Sequence, residues 1–300
     1  LQDTNTQITS VDGDISVTGT AASSVGVFVT SGAEISSTGT GVGAATITVT
    51  GNGDAGIDID SAGTLITSVD GNILLDGNAN ALEGILIADA TISSTGTTAD
   101  AATITLDGAS NGAASVQLNN AATVTSVSGD IQLTGNSAAA TAHGIDLQSG
   151  STVSSTGSGA VVASITLMGT GGTANDGIFI DGSIVSVDGN IQLTGVTSNV
   201  DGDDGIDLNN GTIDATGTGT ILLTGNGMTN GIELDSSITS NSGTITLQSV
   251  DDTIEFEFFG TVVSTSGNVT VTADTTVGGA AGQLRSEERR VGKECRIGCR

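Results

Sequence analysis

One short pattern, G-x-I-x-L-x-G with its variants, returns along the whole chain and limits the folds that this sequence can adopt. Successive copies are 24 to 34 residues apart. Such self-similarity is typical of repeat architectures, in which a unit that cannot bury its own apolar face stacks on its neighbours. The sequence therefore predicts ten coils of one design. The first apolar residues of the ten copies are Ile15, Ile47, Ile73, Ile104, Ile131, Ile165, Ile191, Ile221, Ile245 and Val269.

Apolar residues within each copy alternate at period two, as in Ile57/Ile59 and Ile206/Leu208, which is typical of β-strands with one buried face. Each repeat carries a second short strand of the type GIDID and a third of the type LITSV. The sequence therefore predicts an all-β fold, a parallel β-solenoid (β-helix) of about ten coils with about three short strands per coil. A two-sheet sandwich is the alternative, but it does not explain ten similar units.

The spacing alternates between long and short, so the larger unit is a pair of coils of about 58 residues, visible from Ile15 to Ile73, Ile131 and Ile191. Tight turns of the type SVDGN precede the strand in one member of each pair. We expect their glycines to supply backbone conformations with positive φ. These glycines are Gly13, Gly71, Gly129 and Gly189.

We expect the turn aspartates Asp12, Asp70 and Asp188 to lie on one edge of the solenoid, at least two coils apart. Like charges in every coil would lie about 4.8 Å apart, the spacing between strands, and would repel each other.

In the segment IEFEFFG, Phe256 and Phe258 share the inward phase of Ile254, and Phe259 falls on the outward phase.

All six Lys and Arg residues and both cysteines lie in the last sixteen positions. The segment RSEERRVGKEC, Arg285 to Cys295, resembles a translated sequencing adapter. That resemblance implies a solenoid domain over 1–284, a fragment of a longer protein, followed by a non-native basic tail over 285–300. We expect the tail to pack on nothing and to continue no strand ladder. Cys295 and Cys299 then carry no information about the redox compartment.

Coils such as GIDLNNGTIDATGTGTILLTG, residues 205 to 225, resemble the repeat regions of filamentous-haemagglutinin-like bacterial surface adhesins and related β-strand-repeat proteins. The resemblance covers residues 1–284. It implies an extracellular or cell-surface location and a non-catalytic, structural or adhesive stalk. The expected partners are adjacent repeats of the same chain and, through regions outside this segment, polymers of a host surface, a neighbouring cell or a matrix.

Two other functions fit a β-solenoid. A polysaccharide hydrolase needs only paired carboxylates, and Asp58/Asp60 and Asp203/Asp204/Asp207 offer them, whereas a lyase would need the Lys or Arg that residues 1–284 lack. An ice-binding face needs regular outward threonines. The sequence offers Thr46, Thr48 and Thr50, but three later residues interrupt that row: Leu74, Gln132 and Gln192.

The acidic turns at 51–60 and 199–207 could supply oxygen ligands for Ca²⁺. A solvated, repulsive surface is the favoured interpretation, with no catalytic residue and no cofactor. His143 is expected to be a solvated loop residue. A net charge of −27 opposes nucleic-acid binding, and no run of 18 apolar residues predicts membrane insertion. The candidate calcium ligands are Asp54, Asp58, Asp201, Asp203 and Asp204.

Overall fold

The computed structural model describes residues 1–159, 161–197, 203–250, 252–257, 259–279 and 283–286. This part of the chain consists of short strands and turns, and it includes no helix of the length and apolarity needed to cross a lipid bilayer. The strands are β1 (Gln7–Ser10), β2 (Ile15–Thr20), β3 (Val25–Val29), β4 (Glu34–Ser37), β5 (Ile47–Gly53), β6 (Ala55–Asp60), β7 (Leu65–Ser68), β8 (Ile73–Ala79), β9 (Ile85–Ala88), β10 (Thr91–Ser94), β11 (Ile104–Ser110), β12 (Val116–Asn119), β13 (Thr123–Ser126), β14 (Ile131–Ser137), β15 (Ile145–Leu147), β16 (Thr152–Ser155), β17 (Ile165–Gly171), β18 (Ile178–Ile180), β19 (Ser183–Ser186), β20 (Ile191–Thr197), β21 (Ile206–Leu208), β22 (Thr212–Ala215), β23 (Ile221–Asn226), β24 (Ile232–Leu234), β25 (Ser237–Ser240), β26 (Ile245–Ser249), β27 (Ile254–Phe256), β28 (Thr261–Ser264), β29 (Val269–Thr272), β30 (Val277–Gly279) and β31 (Gln283–Ser286).

Every third strand belongs to the same parallel sheet. Sheet A runs from β1 through β4 to β31 and has eleven strands; sheet B runs from β2 to β29 and sheet C from β3 to β30, with ten strands each. One coil therefore contributes one strand to each of three sheets. This arrangement confirms the predicted parallel β-solenoid and excludes the two-sheet sandwich.

Stacking in sheet B is in register. Ile15 pairs with Ile47 and Ile47 with Ile73, and the column continues through all ten predicted residues to Val269. Ile47 and Ile104 are fully buried. Burying such a side chain stabilises the fold by about 1.5 to 3 kcal/mol. The apolar columns of the three sheets form one continuous core along the solenoid axis.

The two-coil unit has a hydrogen-bonding basis at the entry to sheet B. An Asp or Asn in one coil accepts a hydrogen bond from the backbone N–H of a Thr or Ser in the next coil. The predicted spacing of the edge aspartates is also confirmed. Each lies three residues before a strand of sheet B: Asp12 before the first strand, Asp70 before the third and Asp188 before the seventh. The acceptor and donor pairs are Asp14 with Thr46, Asn72 with Thr103, Asp130 with Ser164 and Asn190 with Thr220.

Two of those edge aspartates tie neighbouring coils together. Asp70 Oδ2 accepts the N–H of Gly41 at 2.6 Å, and Asp188 accepts the N–H groups of Gly159 and Thr218. The hydrogen bonds of Asp188 hold the pKa of this exposed carboxyl below its ordinary value. Alternation therefore spaces the charges and also gives the carboxylates backbone partners in adjacent coils.

The explanation given above for the turn glycines is wrong. None of them has positive φ; that conformation occurs at glycines such as Gly32 and Gly63 instead. A Cβ on Gly71, Gly129 or Gly189 would lie only 1.8 to 1.9 Å from a carbonyl oxygen of the preceding coil. Close approach between coils, and not an unusual backbone conformation, therefore requires glycine at these three turns.

Strand β31 extends beyond residue 284, the predicted last residue of the solenoid. Strand β31 pairs with β28, and its register joins Arg285 to Val263 and Ser286 to Ser264. The expectation that the tail continues no ladder is therefore wrong for Arg285 and Ser286. Residues 287–300, with both cysteines, lie outside the described part of the chain.

The phenylalanines of the ninth coil follow the strand alternation. Phe256 points inward and is 6% exposed, whereas Phe259 is 75% exposed. The predictions for these two residues are confirmed. Phe258 lies outside the described residues.

Candidate functional site

Ionisable side chains are concentrated where the chain enters sheet C in the fifth to eighth coils. We define the acidic corner as His143, Asp176, Asp203, Asp204, Asp207 and Glu233.

The repeat itself brings these residues together. Three residues lie at the same offset, two positions before a strand of sheet C: His143, Asp176 and Asp204. The first residues of those three strands are register partners. The three side chains therefore occupy equivalent positions in consecutive coils, about 4.8 Å apart. Asp207 and Glu233 are partners in the adjacent outward column.

A chain of hydrogen bonds connects the corner across coils. His143 Nδ1 lies 3.1 Å from Asp176 Oδ2. Asp176 Oδ1 accepts the N–H of Asp204 at 2.9 Å, and Asp204 Oδ1 accepts the N–H of Asn230 at 2.8 Å. The amide of Asn230 also donates to Glu233 Oε2 at 3.0 Å. Each buried acid thus has a partner in the preceding or following coil.

Asp204 and Glu233 form an interacting pair of carboxyl groups in consecutive coils. Asp204 is 4% exposed. Burial, a side-chain hydrogen bond to Glu233 and the neighbouring carboxylates raise the pKa of Asp204 to about 9. Burial also raises the pKa of Glu233. Both shifts favour retention of one proton by this pair of carboxyl groups at neutral pH.

Two further acids of the corner, Asp207 and Asp203, also have raised pKa values. Burial, with the charges of Asp176 and Glu233, raises the pKa of Asp207 to about 7. Burial and the charge of Asp176 raise the pKa of the exposed Asp203. Asp207, Glu233 and Glu255 are consecutive partners in one outward column. Like charges in adjacent coils therefore oppose the ionisation of Asp207 and Glu233.

His143 is not the solvated loop residue that we expected. Its ring stacks on Phe179, with centroids 5.0 Å apart and planes inclined by 26°. Burial alone would lower the pKa of His143, but the hydrogen bond to Asp176 and the charges of Asp176, Asp146 and Asp207 raise it. The surrounding carboxylates therefore favour the protonated form of the imidazole. The expectation failed because His143 has a carboxylate at the equivalent position of the next coil.

Asp146 shows how the solenoid can bury an outward-phase acid. It is only 6% exposed, although it lies on the outer face of sheet C. Asp146 Oδ2 accepts hydrogen bonds from the amides of Gln117 at 2.6 Å and Gln148 at 2.9 Å. Amide side chains in the same and the preceding coil thus take the place of water.

The structure describes four of the five candidate calcium ligands and places them in two separate groups. Asp203 and Asp204 lie together with Asp176, and one carboxylate oxygen of each lies within 4.8 Å of the others. Asp54 and Asp58 lie at the second strand of sheet C, which is five coils away from the seventh strand, where Asp203 and Asp204 lie. Burial, with the charges of Asp60 and Glu83, raises the pKa of Asp58 to about 6. Asp201 lies outside the described residues.

Sequence reasoning missed Asp176, Glu233 and the role of His143. The signal that could have found them is the equal offset from the first apolar residue of each GI-type strand. Residues at one offset stack in a parallel solenoid, so His143, Asp176 and Asp204 form a column despite their separation in sequence. Searching for acidic pairs within single turns could not find a cluster built from several coils.

The three clustered aspartates offer oxygen atoms that could hold a divalent cation, but oxygens of Asp176 and Asp204 already have partners. Asp176 accepts from the N–H of Asp204 and faces His143, and Asp204 accepts from Asn230 and interacts with Glu233. A cation would have to replace these hydrogen bonds and the contact of Asp176 with His143. Protons and hydrogen bonds are therefore the simpler means of neutralising this corner.

Comparison with known proteins identifies no relative. No family model matches the chain, and no significant match occurs among the curated proteins or the solved structures.

The acidic corner predicts that acid stabilises the protein. In the unfolded chain aspartates ionise near pH 4, whereas folded Asp207 and Asp204 hold protons to about pH 7 and about pH 9. Because the folded state binds more protons between these limits, the free energy of unfolding falls as pH rises. We expect the thermal midpoint, measured by circular dichroism, to fall by several degrees from about pH 5 to about pH 9.

The variant Asp204→Asn should reduce this pH dependence. Its amide keeps the acceptor for Asn230 and donates to Glu233 without a titrating proton. The matched control is Asp130→Asn, at a turn position that holds Asn72 and Asn190 in other coils. An unchanged pH profile in Asp204→Asn, or an equal change in both variants, would contradict the shared-proton description.

Calcium provides a second test of the corner. Because oxygens of Asp176 and Asp204 already have partners, millimolar Ca²⁺ should raise the thermal midpoint no more than NaCl of matched ionic strength does, which is the result of screening alone. A shift produced by Ca²⁺ only, and lost in Asp176→Asn, would instead establish a specific cation site.

Proposed function

We propose that this chain is a rigid, non-catalytic stalk segment of a bacterial surface or secreted protein. The observation that supports the proposal is the uninterrupted stacking of three parallel sheets on one continuous apolar core. Such a solenoid has no hinge between coils, since backbone hydrogen bonds connect every coil to the next. Its length therefore depends on the number of coils, which is the property that a spacer requires.

The surface fits that role. The formal net charge of −27 opposes lateral association of a rod made of self-complementary strands, and most of the described acidic residues are half-buried or exposed. We propose an extracellular or cell-surface location on the resemblance of the repeats to adhesin coils. The proposed contacts are with adjacent repeats of the same chain and, through other regions, with surface or matrix polymers.

A polysaccharide hydrolase is the second candidate, because the acidic corner combines a protonated acid with nearby carboxylates, as glycoside hydrolysis requires. Two observations favour the stalk. Asp204 is buried at 4% exposure, and its side chain interacts with Glu233. A surface cavity of about 380 Å³ lies elsewhere, over β5, β8, β11 and β14, and its lining contains asparagines and small residues but no acid.

Duplication of coils tests the stalk directly. In the test protein, a second copy of residues 73–190 is inserted directly after Asn190 and adds four coils. The new junction joins Asn190 to Ile73, which reproduces the natural junction of Asn72 with Ile73. The scattering envelope should lengthen by about 19 Å at about 4.8 Å per coil. The cross-sectional radius of gyration should not change.

The control for the duplication is an insertion of equal length made of Gly and Ser at the same position, which should give a flexible chain and no added rod. Growth of the duplicated protein in all dimensions, or loss of its cooperative unfolding, would contradict the stalk.

A further inference from the structure

The outer face of sheet A differs from the rest of this acidic chain. Strands β7, β10, β13, β16 and β19 each place two side chains outward, and none of the ten is charged. Glu34 in β4 and Asp214 in β22 are the nearest charged residues in these columns. A solenoid with a net charge of −27 thus presents one neutral face.

Hydroxyl groups dominate that face. The first outward column is Thr or Ser in seven consecutive coils, and the second is Thr or Ser in six. A third column alternates Thr with Val. The first column contains Thr91, Thr123, Thr152, Ser183, Thr212, Ser237 and Thr261. The second contains Thr9, Ser36, Thr67, Ser93, Thr125 and Ser154.

The columns overlap in the fourth to sixth coils. We define the hydroxyl face as the nine outward-phase residues there, of which eight carry a hydroxyl and one is Val; Ser93 is 8% exposed, and the other eight are half-buried or exposed. They are Thr91, Ser93, Thr95, Thr123, Thr125, Val127, Thr152, Ser154 and Thr156.

The hydroxyls have fixed positions. Ser93 Oγ donates to Thr67 Oγ1 at 2.9 Å, and Ser154 Oγ donates to Thr125 Oγ1 at 3.0 Å. Threonine is also stiff at χ1 because it is β-branched. Along a strand the outward residues repeat every ~6.6 Å, and between strands every ~4.8 Å. These repeats resemble the oxygen spacings of crystalline water.

We propose that the hydroxyl face binds ice. Each hydroxyl can donate one hydrogen bond and accept two, so pairing between neighbours leaves capacity for water. The methyl groups between hydroxyls restrict the orientation of the water that surrounds them. A regular array of both groups would hold a water layer with the repeat of the lattice. This inference is independent of the proposed stalk function.

Other occupants fit this face less well. A polysaccharide would need aromatic platforms, but the chain has no Trp or Tyr and the hydroxyl face has no Phe. An anionic polymer would need positive charge, which this face lacks. The threonine row of sheet B is not an alternative ice-binding surface, because other residue types interrupt it. The register joins Thr48 to Leu74, Thr105 to Gln132 and Thr166 to Gln192. The predicted interruptions are thus confirmed.

Thermal hysteresis and ice recrystallisation provide the test. The wild-type protein should depress the freezing point below the melting point and keep ice grains small, relative to albumin at equal molar concentration. Thr125→Asp should remove most of this activity. The repeat itself accommodates the substitution, because Asp214 occupies the same column.

The matched control is Thr194→Asp in sheet B, another half-buried outward threonine, in a column that holds Asp76 and Asp107. It should keep the wild-type activity, and thermal melts should show both variants folded. Wild-type protein indistinguishable from albumin would overturn the proposal. Equal loss of activity in the two variants would do so too, because the activity would then not reside on sheet A.

Discussion

In-register parallel stacking is the constraint on which the rest of this structure depends. Each residue lies beside the equivalent residue of the next coil, about 4.8 Å away. A residue type that persists along a column must therefore be compatible with a copy of itself. Ile, Leu and Val meet this requirement through dispersion and burial, and Thr and Ser meet it by hydrogen bonding to one another. Two carboxylates at that spacing repel each other by about 1 kcal/mol even in water.

The acidic residues show four responses to this repulsion. Turn aspartates such as Asp70 skip coils and accept backbone N–H groups from the neighbours. Asp14 alternates with Thr46. Asp146 is covered by glutamine amides. Where acids do occupy consecutive coils, as at Asp204 and Glu233, the pair retains a proton. The charge of the chain is therefore arranged by the geometry of the stack, and sheet A is left with a neutral hydroxyl face.

The fold could be predicted from the sequence because its information is local and repeated. Spacing of the apolar residues defined the coils, and period-two alternation defined which side chains point inward. The acidic corner could not be found in the same way, since His143, Asp176 and Asp204 come together only through the offset of one coil from the next. The turn glycines were misinterpreted for a related reason. Gly71 meets Ala45 of the preceding coil, and a contact between coils leaves no mark within the turn.

The register itself can be measured by disulfide trapping. With Cys295→Ser and Cys299→Ser as background, the outward pair Thr105→Cys and Gln132→Cys are register partners in β11 and β14. Their Cα atoms should lie about 4.8 Å apart, within the range of about 4.4 to 6.8 Å that a disulfide spans. Mild oxidation should give an intramolecular disulfide in this pair. The pair Thr105→Cys and Thr134→Cys, displaced by two residues along the strand, should not form one. Efficient cross-linking of the displaced pair and failure of the register pair would contradict the account.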